Sequence, residues 1–300
     1  MRKYYFDDAP SGLTPSLRNQ RNVTTWYPSM KFLYPFQFEV DFRFGGSSCT
    51  FCQDYFSVAW VAVCLYLAFC YFGPKWMASR EAFEVKSSWR VWNLALSIFS
   101  ICGSLRTMPH LIGIVHKEGL YTSVCSFAAE SYGAGGASAL WTMLFIFSKL
   151  PELIDTVFIV LGKRKLIFLH WYHHATVLLF CWHSYATRSS AGLWFVAMNY
   201  TVHAVMYMYF FLVADRSLQK RCKLSVVAPL VTTMQISQMV VGVTITFLIY
   251  KYKSQGLPCY TSQSNFLMGF LMYLSYFALF AAFAARRFCG LCPAEKPKEE

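Results

Sequence analysis

The sequence predicts an all-α integral membrane protein with seven transmembrane helices, and three observations carry that reading. Hydrophobic residues make up 56% of the 300-residue chain and charged residues only 14%, against about 25% charged in an average soluble protein. Seven stretches are apolar for roughly the 20 residues that a helix needs to cross the hydrocarbon core. Lysine and arginine alternate between dense and sparse in the loops that separate those stretches, as they do between cytosolic and translocated loops. The formal charge of +12 is thus a topology signal, and nucleic acid is not an expected partner.

Taken in order, the opening residues "MRKYYFDDAP" are polar and no apolar signal-peptide core follows them. The first span therefore serves as its own insertion signal, and residues 1–53 form a lumenal N-terminal segment. The spans fall at about 54–73, 91–114, 137–161, 166–186, 191–213, 226–250 and 265–285. The second is interrupted by Arg106 and Pro109, which membrane helices tolerate where neighbouring groups satisfy the backbone. The seventh stops at Arg286 and Arg287, and 288–300 is a short tail.

Segments 74–90, 162–165 and 214–225 and the tail from 286 carry four, three, four and four basic residues, whereas the opposite loops carry only Lys117, Arg188, Lys251 and Lys253; the N-terminal segment adds six, accompanied by Asp7, Asp8, Glu39 and Asp41. The richer side is cytosolic, so the C-terminus is cytosolic and the N-terminus lumenal. Two features agree. Asn22 opens the sequon "NVT", a glycosylation acceptor on a lumenal segment. Lys296 and Lys298 in "KPKEE" resemble the dilysine signal that returns proteins to the endoplasmic reticulum.

Polar residues recur inside the spans. His170, His173 and His174 lie at i, i+3 and i+4 on one face of the fourth. The third carries "KLPELIDT", where Lys149 can pair with Glu152 at i+3, Glu152 stacks with Thr156 at i+4, and Asp155 lies near. The fifth carries Asn199 and His203 at i, i+4, with Met206, Tyr207 and Phe210 continuing the face; the sixth carries Thr232, Gln235 and Gln238. At about 1.5 Å per residue, Asp155 lies about 9 Å and Lys149 about 18 Å from the cytosolic end, the three histidines about 6–12 Å, and His203 and Gln235 about 15 Å. One intramembrane His or Gln is commonly only an interhelical hydrogen-bond partner. Four helices agreeing in depth describe instead a pocket open to the cytosol with an apolar blind end. His110, His116 and His183 are read as structural or loop residues.

Two chemistries use such a set. A histidine–carboxylate cluster suits iron, as in membrane desaturases and hydroxylases, but those use several histidine boxes and this chain has one box and seven histidines in all. Metal-free acyl transfer asks less: an imidazole held out of water stays uncharged and keeps a nucleophilic nitrogen, which can take an acyl group from a thioester, while neighbouring imidazoles move protons. The blind end would hold the acyl chain, and basic loops would meet coenzyme A phosphates. A receptor or transporter using the histidines as a proton relay is the non-enzymatic alternative.

The motifs "KLPELIDT", "HWYHH", "NYTVHAVMYMY" and "TTMQISQ" resemble, in order and spacing, the signatures of the ELO family of very-long-chain fatty-acid elongases, over about residues 50–287. The resemblance implies seven helices, six of them in an inverted barrel around an acyl tunnel. It also implies condensation of acyl-CoA with malonyl-CoA to 3-oxoacyl-CoA, CO2 and CoA in the endoplasmic reticulum. His173 would be the acyl-accepting nucleophile of a ping-pong cycle, and His203 would assist decarboxylation or proton transfer. His170 and His174 would complete the cluster, and Lys149, Glu152, Asp155, Asn199, Tyr207, Gln235 and Gln238 would line the site. One departure is Phe210, where the family commonly has tyrosine. Lys165, five residues before His170, together with "LIFLHWYHH", is more like members acting on saturated or monounsaturated chains.

The resemblance further implies a disulfide between Cys125 and Cys259 across two lumenal loops, where oxidation is permitted; Cys49 and Cys52 are a competing lumenal pair. Cys289 and Cys292, in "CGLC", are read as free or acylated thiols. No cofactor is implied beyond the two CoA thioesters as substrates. The implied partners are membrane lipid and the 3-oxoacyl-CoA reductase, 3-hydroxyacyl-CoA dehydratase and enoyl-CoA reductase of the elongation cycle. The sequence leaves open whether two copies form a homodimer.

Overall fold

A computed structural model describes residues 26–288 except 44, 134, 222 and 223. Asn22, Cys289, Cys292, Lys296 and Lys298 lie outside the described residues. Among those described the secondary structure is helical, with no strand. The helices are α1 (Gln37–Val40), α2 (Gly45–Asp54), α3 (Phe56–Ala78), α4 (Lys86–Glu118), α5 (Leu120–Cys125), α6 (Gly136–Ser148), α7 (Ile154–Leu161), α8 (Phe168–Ala186), α9 (Gly192–Val213), α10 (Arg216–Arg221), α11 (Leu224–Ser254) and α12 (Gln263–Phe288).

Five of these are long and apolar enough to cross a membrane: α3, α4, α9, the part of α11 from Val227 to Ser254, and α12. They make the chain a multi-pass membrane protein. The other two expected spans differ for identifiable reasons. Residues 137–161 are not one helix: α6 ends at Ser148, a 3-10 turn runs over Pro151–Leu153, and α7 begins at Ile154. Pro151 has no N–H to donate, and the chain tightens around it, with Lys149 and Leu150 donating to carbonyls three residues back. α8 is a continuous 19-residue helix, but its four histidines lower its hydropathy.

The long helices contact one another in a closed order. α4 packs along α9, α9 on α11, α11 on α12, α12 on α8, α8 on α6, and α6 back on α4. α3 stands outside this circuit, against α8 and α7. α4 comes close to α9 at Gly103: a Cβ there would come within 2.5 Å of the Tyr200 ring, whose hydroxyl donates to the Trp141 carbonyl at 2.9 Å.

The residues before α3 are packed into the bundle. Buried Glu39 accepts from Arg106 Nε at 2.9 Å and from Trp141 Nε1 at 2.5 Å. This satisfies the arginine that interrupts the second span. Trp182 Nε1 donates to the Cys52 carbonyl, and Ser48 Oγ meets Tyr185 OH. Near the same end, Cys125 and Cys259 are disulfide-bonded, and Tyr260 N–H donates to the Cys125 carbonyl. Cys49 and Cys52 are free thiols.

Candidate active site

The one-turn spacing of the α8 box sets its geometry. His170 and His174, one turn apart, have ring centroids 4.5 Å apart and planes tilted by 50°, and His173 meets His174 edge-on at 5.4 Å. His174 is buried, and lies within Coulombic range of His170, His173, His203 and Lys149. His173 and His203 are within the same range of each other and of Lys149. His170 and His173 are partly exposed.

α9 places Asn199 and His203 on one face, with Asn199 Nδ2 and His203 Nε2 3.2 Å apart. The 3-10 turn supplies the other wall. Lys149 Nζ donates to both Glu152 oxygens at 2.8 and 2.9 Å and reaches Asn199 Oδ1 at 3.4 Å. Ser148 Oγ donates to the same carboxylate at 2.8 Å. This buried ion pair therefore has hydrogen bonds beyond its mutual attraction, which is what such a pair needs to offset desolvation. Among the described residues no hydrogen bond joins Glu152, in the 3-10 turn, to Thr156 of α7. Thr156 Oγ1 instead meets His170 Nε2 at 2.9 Å and Tyr66 OH at 2.9 Å.

Asp155 accepts from Trp92 Nε1 at 2.6 Å and from Tyr207 OH at 3.1 Å, and the Tyr207 ring lies 5.2 Å from that of His203. Gln235 donates to Met206 Sδ at 3.3 Å, and Gln238 is buried. Among the described residues no hydrogen bond joins either glutamine to the histidines. His110 bonds the Ser131 carbonyl and stacks on Trp26, His183 meets Asn265, and His116 is exposed.

Four contacts were not legible from the motifs. Tyr66 of α3 and Trp92 of α4 reach the cluster from apolar stretches where nothing marks them. Ser148 stands next to the third-span motif without belonging to it. Tyr276 of α12 donates to the His173 carbonyl at 3.2 Å and puts its ring 5.0 Å from that imidazole. Among the described residues no three His, Cys, Asp or Glu side chains converge as metal donors; Glu152 and Asp155 are engaged by the donors just named.

A protein-family model described as the GNS1/SUR4 family, ELO, matches residues 51–296. The chain belongs to the ELO family. The ELO chain is 40% identical over 247 residues to very long chain fatty acid elongase 6 of Gallus gallus, covering 82% of this chain and 90% of the relative. It is 40% identical over 260 residues to fatty acid elongase 3 of Trypanosoma cruzi (strain CL Brener), covering 79% and 85%. It is 43% identical over 244 residues to putative fatty acid elongase 3 of Caenorhabditis elegans, covering 80% and 72%. It is thus a fatty-acid-elongation enzyme by family, and the desaturase reading is not favoured.

Proposed function

We propose that this ELO protein is a 3-oxoacyl-CoA synthase, carrying out the condensing step of fatty-acid elongation. One observation carries the reading: four imidazoles from α8 and α9 share a site with a hydrogen-bonded Lys149–Glu152 pair. An imidazole nitrogen of His173 attacks the acyl-CoA thioester. The C–N bond forms, the C–S bond breaks, and the imidazole proton leaves with the CoA sulfur, by way of a neighbouring imidazole. Malonyl-CoA then loses CO2, and its carbanion attacks the acyl-imidazole. This releases 3-oxoacyl-CoA and an imidazolate, which recovers a proton.

His203 assists decarboxylation and proton return, while His170 and His174 orient His173 and carry protons. Lys149, Glu152, Asp155, Asn199, Tyr207, Gln235 and Gln238 line the site and hold its shape. The closed order of six helices supports an inverted barrel around an acyl tunnel, with the broken segment and the histidine-rich segment as the third and fourth crossings of the chain.

The positive-inside rule supports a lumenal N-terminus, a cytosolic C-terminus and hence a lumenal Cys125–Cys259 bond, and the dilysine-like tail "KPKEE" supports residence in the endoplasmic reticulum. On this reading residues 1–53 are lumenal, 54–287 form the catalytic domain, Asn22 is glycosylated and Lys296 and Lys298 act in retrieval. The chain needs no cofactor and works beside the two reductases and the dehydratase. The test is single turnover of purified protein with acyl-CoA alone. Wild type is expected to release CoA and hold a covalent acyl group, and His173→Ala to lose both by about a thousandfold or more. Acylation that persists in His173→Ala overturns the nucleophile. Absence of labelled CO2 on adding malonyl-CoA to wild type overturns the reaction.

A further inference from the structure

A cavity apart from the histidine cluster opens between α3 and the turn that joins α7 to α8. It has a volume of about 600 Å³, in the range of sites that hold a small organic ligand. Its walls are apolar, with Leu67 from α3, Val160 from α7 and Trp171 from α8, and its rim is the run Lys163–Arg164–Lys165. α3 lies outside the closed circuit of helices. Two of its lining residues, Leu67 and Tyr71, are 38% and 59% exposed, so the cavity opens on the lateral face that a bilayer would cover.

The rim is built rather than loose. Lys163 adopts a left-handed backbone at φ 50°, and its ammonium donates to the carbonyls of Ala78 and Arg80 at 3.3 and 2.8 Å. This ties the turn to the end of α3. The Arg164 guanidinium lies 4.4 Å over the Trp89 ring, and among the described residues no carboxylate pairs with it. A guanidinium so held keeps a planar fork of donors suited to phosphate. Fixed cations above an apolar slot, at the edge of a membrane span, match an amphiphile with an anionic head and a hydrocarbon tail.

We propose that this cavity seats an acidic phospholipid, with its phosphoryl group at Arg164 and Lys165 and its acyl chain against Leu67, Val160 and Trp171. The site is independent of the condensation reaction. The test uses the purified full-length chain in phosphatidylcholine vesicles doped with phosphatidic acid whose acyl chains are brominated, reading quenching of tryptophan fluorescence. Quenching is expected to exceed that from the same brominated chains on phosphatidylcholine, and Trp171→Phe to remove the excess. Arg164→Gln and Lys165→Gln are each expected to weaken the preference for the acidic lipid about fivefold. Cys70→Phe, which fills the cavity wall and leaves the rim charges in place, is expected to abolish it. Equal quenching by both lipids, or an excess that survives the two glutamine variants, overturns the proposal. So does displacement by free coenzyme A or inorganic phosphate, which would make the rim a site for soluble phosphate.

Discussion

At the scale of single residues, the site rests on polar groups that satisfy one another out of water. The Lys149–Glu152 pair shows how steep that dependence is. Both side chains are buried, at 2% and 4% exposure, so removing one partner leaves a charge with no solvent to turn to. Lys149→Met is expected to cost about 3–5 kcal/mol, read as a lowered melting temperature in detergent. The double variant with Glu152→Leu should lose less than the two single variants added together. Additivity of the two would show that the pair is not coupled.

Tyr66 tests a subtler dependence. Its hydroxyl meets Thr156, which in turn meets His170 Nε2, so it helps to fix which imidazole nitrogen carries the proton. Tyr66→Phe is expected to cost about 1 kcal/mol of stability. On the proposed reaction it should lower kcat severalfold at an unchanged KM for acyl-CoA; a changed KM with unchanged kcat would place Tyr66 in substrate binding instead.

At the scale of elements, helix breaks and close approaches do the positioning. The third crossing is broken by the 3-10 turn at Pro151–Leu153, and α7, which follows that turn, carries the Thr156 hydroxyl that meets His170. The α4–α9 contact depends on the missing side chain of Gly103. Gly103→Ala would drive a methyl group into the Tyr200 ring and is expected to cost about 1–3 kcal/mol by overpacking. Thermal unfolding measures this, and Gly103→Ala combined with Tyr200→Leu should recover part of the loss. Wild-type stability in the single variant would show that α4 and α9 shift apart freely.

At the scale of the whole molecule, long-range ties close the bundle at one end. Cys125 and Cys259 stand 134 residues apart in sequence, and their bond joins the end of α5 to the loop between α11 and α12. Cys259→Ser is expected to lower stability by about 2–5 kcal/mol, and a thiol reductant should lower the wild-type melting temperature but not the variant's. Equal response of both proteins to reductant would show that the bond contributes nothing.

What the sequence determined by itself was what local pattern controls. Apolar run length located the long helices, because crossing hydrocarbon sets a minimum length whatever the neighbours. The i, i+3, i+4 spacing put His170, His173 and His174 on one face, and i, i+4 joined Asn199 to His203, because helical geometry is local. What only the tertiary structure decided was which groups from distant segments complete those faces. Tyr66, Trp92 and Tyr276 reach the cluster, Glu39 neutralises Arg106 from a segment that reads as a mere lumenal tail, and α3 stays outside the circuit. A hydrogen bond between segments depends on the crossing and depth of two helices, and neither is written in the periodicity of either one.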